Sequence, residues 1–344
     1  MRGAFFHGGD VLAASRQLHL RPEEILDFSA SINPLDMPPG ATGALKRALR
    51  ERPAYPEPYA ESLLQALAQA HGLKEEHFLA GAGATELIYH VLQCLRPRAV
   101  LIPEPAFSEY RRAALLAGAR IRSVGGFPFQ AERFVQALAD VEVAFLCNPH
   151  SPAGGVLAPE EVLALALEAR RRGALLVLDE AFVDFAPSLS VLDKAPERGF
   201  LLLRSMTKFY ALASLRVGYL VGPKRLVRFL RRWQRPWALS SPAIAAAREA
   251  LRDEAFRKKT LAFMALEKAF LERQFQRLGI QFWPSGANFY LLRVRPGAAR
   301  ALLREGILVR DCSNFRRLGA GFVRVAVRRR AENQRLLRGL ARWA

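Results

Sequence analysis

The sequence predicts an α/β protein: a large domain built on a mostly parallel sheet flanked by helices, followed by a smaller α+β C-terminal domain. Three observations predict it. From about residue 78, short apolar runs ("AVLIP", "VAFLC", "ALLVLDE", "FLLLRS", "VGYLVG") alternate with amphipathic stretches such as "PEEVLALALEARRRG". Strands that are apolar throughout are buried on both faces, as in a parallel sheet covered by helices. The 344 residues exceed a usual single core, so one large and one small domain are expected. Beyond about residue 240 the pattern changes to a long helical stretch ending near Gln276, then strand-like segments and a closing helix.

In chain order, residues 1–40 are mixed and loop-rich and read as an N-terminal arm, ending in "SINPLDMPPG", where clustered Pro and Gly mark a turn. The large domain is expected over 41–240. Within it "ESLLQALAQAHG" has apolar residues at helical spacing with Gly72 just past its end. "LAGAGATEL" reads as a strand-like segment that opens a helix at about Ala84. The small domain is expected over 241–344, with strands in "QFWPSGANFYLLRV", "GILVRDC" and "GFVRVAV". In open sheets of this kind ligands bind beyond the carboxyl ends of the strands.

The formal charge of +19 raises the question of a nucleic-acid partner. The arginines fall in short clusters at helix ends and polar faces, with no recognition motif and no basic tail, so none is expected. A positive field also attracts phosphorylated substrates. No apolar run approaches the roughly 20 residues that span a bilayer, and no secretory signal is read at the N-terminus. Cys94, Cys147 and Cys312 are widely spaced without a CxxC pair. They argue for a reducing, cytoplasmic setting and against disulfides or a metal site.

One lysine stands out. Of 51 basic residues only 8 are lysines, yet Lys208 lies in the apolar, small-residue stretch "SMTKFYALASLRVGYLVG". An amine can lose its proton and form a Schiff base, which a guanidinium cannot. Asp179 ends the run "ALLVLD"; it reads either as a helix cap or as a buried acid that requires a cation. The helix start near Ala84 offers free N–H groups to an anion, and Ser205, Thr207 and Arg216 around Lys208 suit a phosphate. Together these describe pyridoxal 5'-phosphate: an aldehyde for Lys208, a phosphate for the helix start with Ser205 and Arg216, and a ring nitrogen kept protonated by Asp179. Phe107 in "PEPAFSEY" could stack on the ring or belong to the core.

The order and spacing of "AYPEPY", "GAGATE", "EPAFSEY", "NPHSPAG", "LDEAF" and "SMTKFYALASLRVGYLVG" resemble the fold type I pyridoxal-phosphate enzymes, in the branch that contains the histidinol-phosphate aminotransferases. Within that branch "HGGD", "LDFSASINPL", "GILVRDCSNFRRLG" and "FVRVAVR" are similar to the threonine-phosphate decarboxylases of cobalamin synthesis. The resemblance covers nearly the whole chain, from His7 to the last helix. It implies that Lys208 carries the cofactor, that Asp179 pairs with its ring nitrogen, and that Gly83, Ala84, Thr85, Ser205 and Arg216 hold its phosphate. It also implies a homodimer with shared active sites, Tyr55 reaching the partner's cofactor phosphate.

By the same resemblance, Arg324 and Arg310 bind the anionic groups of a small phosphorylated amino-acid substrate, with His7 and Asn33 in an arm that closes over the site. O-phosphothreonine carries a carboxylate and a phosphate, each of which suits an arginine. Two departures bear on the reaction. The family's asparagine before the second Pro of this loop is replaced by Ser151, with His150 before it and Asn148 further back. Phe182 stands where the aminotransferases have a tyrosine. The same residues suit decarboxylation or transamination, according to which bond of the α-carbon the site orients.

Overall fold

The structure, a computed structural model, describes residues 7–51 and 54–344. Its centre is a seven-stranded sheet in the order Phe78–Gly81, Gly218–Val221, Leu201–Ser205, Leu175–Asp179, Val143–Cys147, Ala99–Glu104, Arg120–Gly125. Gly218–Val221 runs antiparallel to both neighbours and every other pair is parallel. Successive side chains of a strand point to opposite faces. Thus Leu176 and Leu178 pack with Ala166 and Ala169 of helix Pro159–Arg171, while Val177 packs with Leu87 and Val91 of helix Gly83–Leu95. Burial on both faces is what makes these strands read as unbroken apolar runs.

A four-stranded antiparallel sheet follows, in the order Arg310–Asp311, Phe322–Ala326, Phe289–Arg293, Gln281–Phe282. It packs on Met264, Leu271 and Phe275 of helix Glu254–Arg277 and on Leu336 and Leu340 of helix Arg330–Leu340. Two expected strand segments therefore subdivide. "QFWPSGANFYLLRV" holds two strands joined by a loop, and "GILVRDC" gives Ile307–Leu308 to one sheet and Arg310–Asp311 to another.

The long helical stretch breaks at Asp253, whose carboxylate accepts from Phe256 N–H at 2.8 Å and so caps a second helix. The first, Ser241–Arg252, buries Ala243, Ile244 and Ala247 against Leu63 and Leu67 in the core of the large sheet. Helix Ser241–Arg252, which the sequence reading assigned to the small domain, thus packs with the core of the large sheet. The N-terminal segment also differs from a free arm. Its Val11–Leu18 forms a helix capped by Asp10, Leu26–Asp27 pairs in parallel with Ile307–Leu308, and Phe28 is fully buried in the small core.

Among the described residues no helix is long and apolar enough to cross a membrane. Nor do any three His, Cys, Asp or Glu side chains among them come together as metal ligands.

Candidate active site

Parallel pairing sets the carboxyl ends of neighbouring strands side by side: Cys147 is in register with Asp179, and Asp179 with Leu203. A cavity of about 570 Å³ opens there, closed from above by the 29–32 segment and by the small sheet. His7, Ala84, Thr85, Phe107, Ser151 and Asp179 line it, together with Ser205, Lys208, Arg216, Arg310 and Arg324. Sequence reasoning therefore brought together a set of residues that the fold also brings together.

Asp179 is 4% exposed. Its Oδ2 accepts from the Tyr110 hydroxyl at 2.5 Å and its Oδ1 from Ala181 N–H at 2.9 Å. Burial pushes its pKa up, while these two donors and the charge of Lys208 pull it down. Lys208 sits in the short turn of helix Met206–Phe209 that follows strand Leu201–Ser205. Burial, with the nearby cations Arg216 and Arg324, lowers its pKa to about 8 against the pull of Asp179. An amine so placed is a nucleophile near neutral pH.

The anion cradle is built from small residues. Helix Gly83–Leu95 starts after Ala82 with no side-chain cap, which leaves its first N–H groups free of side-chain partners. Gly83 has φ +83°, and a Cβ there would stand 2.7 Å from Arg216 Nη2; a Cβ on Gly218 would stand 2.5 Å from Ala84 N. Only glycine at both positions lets a helix start, a strand and a guanidinium converge. Ser205 and Thr207 complete the cradle, their hydroxyls 2.6 Å apart. An amine, a buried carboxylate and an uncapped helix start beside a guanidinium fit the aldehyde, ring nitrogen and phosphate of pyridoxal 5'-phosphate.

The facing wall carries the arginines. Arg310 and Arg324 are directly opposite each other on adjacent antiparallel strands. Arg324 donates from Nη1 to Ser151 Oγ at 3.1 Å and from Nη2 to the Ser29 carbonyl at 3.2 Å, while its Nε is buried without a partner. Its guanidinium lies over Phe289, and burial lowers its pKa to about 10. Arg310 is buried over Phe315 and donates to Asn314 Oδ1 at 2.9 Å.

Asn33 comes out differently, and the structure also places Tyr55, the 148–151 segment and Phe182. Asn33 lies outside the cavity: its amide donates to the Phe209 carbonyl at 2.8 Å and to Thr260 Oγ1 at 3.0 Å, and its backbone N–H to the Lys208 carbonyl. It fastens the turn that carries Lys208 and has no donor left for a ligand. Tyr55, expected to reach the partner's cofactor phosphate, is 83% exposed and tilted at 35° against Trp237 beside a separate groove. His150 and Asn148 turn away, to the Pro105 carbonyl and to the backbone of Leu157 respectively, leaving Ser151 as the residue of that loop segment at the cavity. Phe182 is buried edge-on against Phe289.

Sequence reasoning missed Tyr110 and Glu109. Glu109 is buried at the cavity wall, where it takes His7 Nε2 at 2.8 Å and the Tyr89 hydroxyl. Both lie in the quoted "EPAFSEY", but an acid and a tyrosine in the first turn of a helix carry no signal of what they face.

Comparison with known proteins bears on this geometry. The family described as Aminotransferase class I and II matches residues 23–340. A threonine-phosphate decarboxylase of Salmonella typhimurium is 37% identical, over 97% of this chain and 95% of its own. A histidinol-phosphate aminotransferase of Methanoculleus marisnigri is 34% identical, over 92% of this chain and 91% of its own. Among solved structures, the L-threonine-O-3-phosphate decarboxylase of Porphyromonas gingivalis superposes with a TM-score of 0.82 at 26% identity, covering 92% of this chain and 98% of that one.

Proposed function

The chain belongs to the aminotransferase class I and II family and is a pyridoxal-phosphate-dependent enzyme; from that premise we propose that it decarboxylates L-threonine O-3-phosphate to (R)-1-amino-2-propanol O-2-phosphate. The observation that carries this reading is the cross-strand pair of Arg310 and Arg324 at the cavity wall. Like charges placed directly opposite one another are unfavourable, and a substrate with a carboxylate and a phosphate offers each guanidinium a charge-assisted partner. Histidinol phosphate has a phosphate and no carboxylate and answers only one of them, although 2-oxoglutarate, the second substrate of that transamination, has two carboxylates and answers both. The likeness to a decarboxylase at 37% identity supports the same choice.

The cofactor, bound at this site, supplies an electron sink for whichever bond to the α-carbon stands perpendicular to its ring. The chain's own residues do the rest. Arg324 and Arg310 bind the two anions and thereby fix which α-carbon bond is presented. Asp179 keeps a negative charge against the ring nitrogen. Phe107 and Phe182, with the small sheet above, exclude water from the reacting carbon. As carbon dioxide leaves without a proton, Lys208 Nζ is placed to deliver one to the α-carbon; its pKa near 8 suits both holding and releasing it. Tyr55 belongs, in this reading, to the face of a homodimer. Its exposed ring, with Trp237 and Trp233 also exposed, supports that placement.

The test is to incubate the loaded protein with L-threonine O-3-phosphate and follow carbon dioxide, and in parallel with L-histidinol phosphate and 2-oxoglutarate and follow glutamate. Carbon dioxide with aminopropanol phosphate, and little glutamate, is the expected result. Glutamate without carbon dioxide would make the chain a histidinol-phosphate aminotransferase, the second reading, which the 34% identity to such an enzyme favours.

A further inference from the structure

Asp179 is held by a residue to which neither motif nor resemblance assigned a role. Tyr110 lies in helix Ser108–Leu116, is 2% exposed, and stacks on Phe145 at 4.5 Å with the rings 9° from parallel. Phe145 belongs to the strand adjacent to that of Asp179, so the sheet itself fixes the position of the tyrosine ring. Its hydroxyl meets Asp179 Oδ2 at 2.5 Å, within the range of charge-assisted O–H···O⁻ bonds, while the turn after the strand holds Oδ1 through Ala181 N–H. Two donors from different elements, one on each oxygen, leave the carboxylate plane no freedom to rotate.

We propose that Tyr110 is a positioning residue for the cofactor: by donating to Asp179 it fixes the plane of that carboxylate and keeps it ionised, so that the ring nitrogen of bound pyridoxal phosphate retains its proton. A carboxyl buried this deeply tends to take up a proton and become neutral, and a neutral carboxyl cannot pair with a pyridinium. The groups around it act against that. Lys208 contributes positive charge, and Ala181 and Tyr110 contribute donors. Tyrosine suits the position because its own pKa, driven far up by burial and by the neighbouring Asp179 charge, makes it a donor at every working pH. A phenylalanine would keep the stack and lose only the bond.

The experiment loads the protein with pyridoxal phosphate labelled with ¹⁵N in the ring and records the nitrogen shift without substrate, so its outcome is independent of the reaction catalysed. Wild type is compared with Tyr110→Phe and with Phe145→Leu, which disturbs the stack and keeps the hydroxyl. Tyr110→Phe is expected to move the nitrogen signal from the pyridinium toward the neutral-pyridine position and to weaken cofactor binding about tenfold, the effect of losing a hydrogen bond to a charged group. Phe145→Leu is expected to lower the melting temperature and leave the nitrogen signal in place. An unmoved signal in Tyr110→Phe overturns the proposal, as does a shift of equal size in Phe145→Leu, which would make the effect one of packing.

Discussion

The two walls of the cavity are built differently. At the end of the seven-stranded sheet several polar groups already have partners: Asp179 has Tyr110 and Ala181, Ser205 has Thr207, and the turn bearing Lys208 is fastened by Asn33 of the N-terminal segment. The wall on the four-stranded sheet pairs Arg310 and Arg324 across adjacent strands, the latter with a buried Nε lacking a partner and its other nitrogens held by a hydroxyl and a carbonyl. The first wall, with its uncapped helix start and the amine of Lys208, suits a cofactor that never changes. The second presents Arg310 and Arg324 to the cavity, and in the reading proposed above the choice of substrate resides there. Preorganised polar groups act without rearranging at the moment of reaction, whereas specificity comes from groups that only the correct ligand can pair.

Substitutions separate the walls. The largest effect is expected at Lys208: Lys208→Ala should abolish the visible absorption band of the loaded protein and lower turnover about 10⁴-fold, as removing a group that both captures the substrate and moves its proton does. Next, Arg324→Lys retains charge and loses the planar fork. It should lower kcat/KM about 10²-fold, chiefly through KM, and leave cofactor affinity unchanged; a matching loss of cofactor affinity would mean that the walls are not separable.

The pH dependence probes chiefly the first wall, with Arg324 of the second also contributing to the amine's lowered pKa. Because the amine of Lys208 is held near a pKa of about 8, its reactive neutral form grows as pH rises toward that value and is complete above it. Reconstitution of the apoprotein with pyridoxal phosphate, followed by stopped-flow absorbance, should accelerate about tenfold per pH unit below 8 and level off above. The smallest effect on chemistry is expected from Asn33→Ala, which removes bonds to the Phe209 carbonyl and Thr260. It should reduce stability to urea by about 1–3 kcal/mol, with the substrate KM retained. A raised KM with unaltered stability would return Asn33 to the ligand.

How much of this was legible follows from where the information sits. The parallel strands were readable because burial on both faces leaves long apolar runs, and the polar residue ending such a run, Asp179, marked the site. Lys208 was readable through its rarity in an arginine-rich chain. What a side chain faces was not readable. Asn33 and Ser31 are two positions apart in "SASIN", yet Ser31 lines the cavity and Asn33 is spent on the backbone behind it. Tyr110 meets Asp179 only because helix and sheet are packed as they are. The break in the long helical stretch was not legible because Ser241–Arg252 and Glu254–Arg277 have similar helical periodicity, and only the caps at Ser240 and Asp253 tell them apart. Strands as short as Leu26–Asp27 and Ile307–Leu308 leave no periodic trace at all.

The face-to-face arginines have a consequence for how the protein behaves in a melting experiment. A sheet that pairs two cations across adjacent strands gains stability from a ligand whose anionic groups pair with them, so such a ligand supports the fold as well as occupying a site. By mass action, a ligand at a hundred times its dissociation constant adds about 2.7 kcal/mol to the stability of the native state. The shift in melting temperature across a panel of phosphorylated amino acids and amino alcohols therefore ranks how well each bridges Arg310 and Arg324, before any of them is turned over.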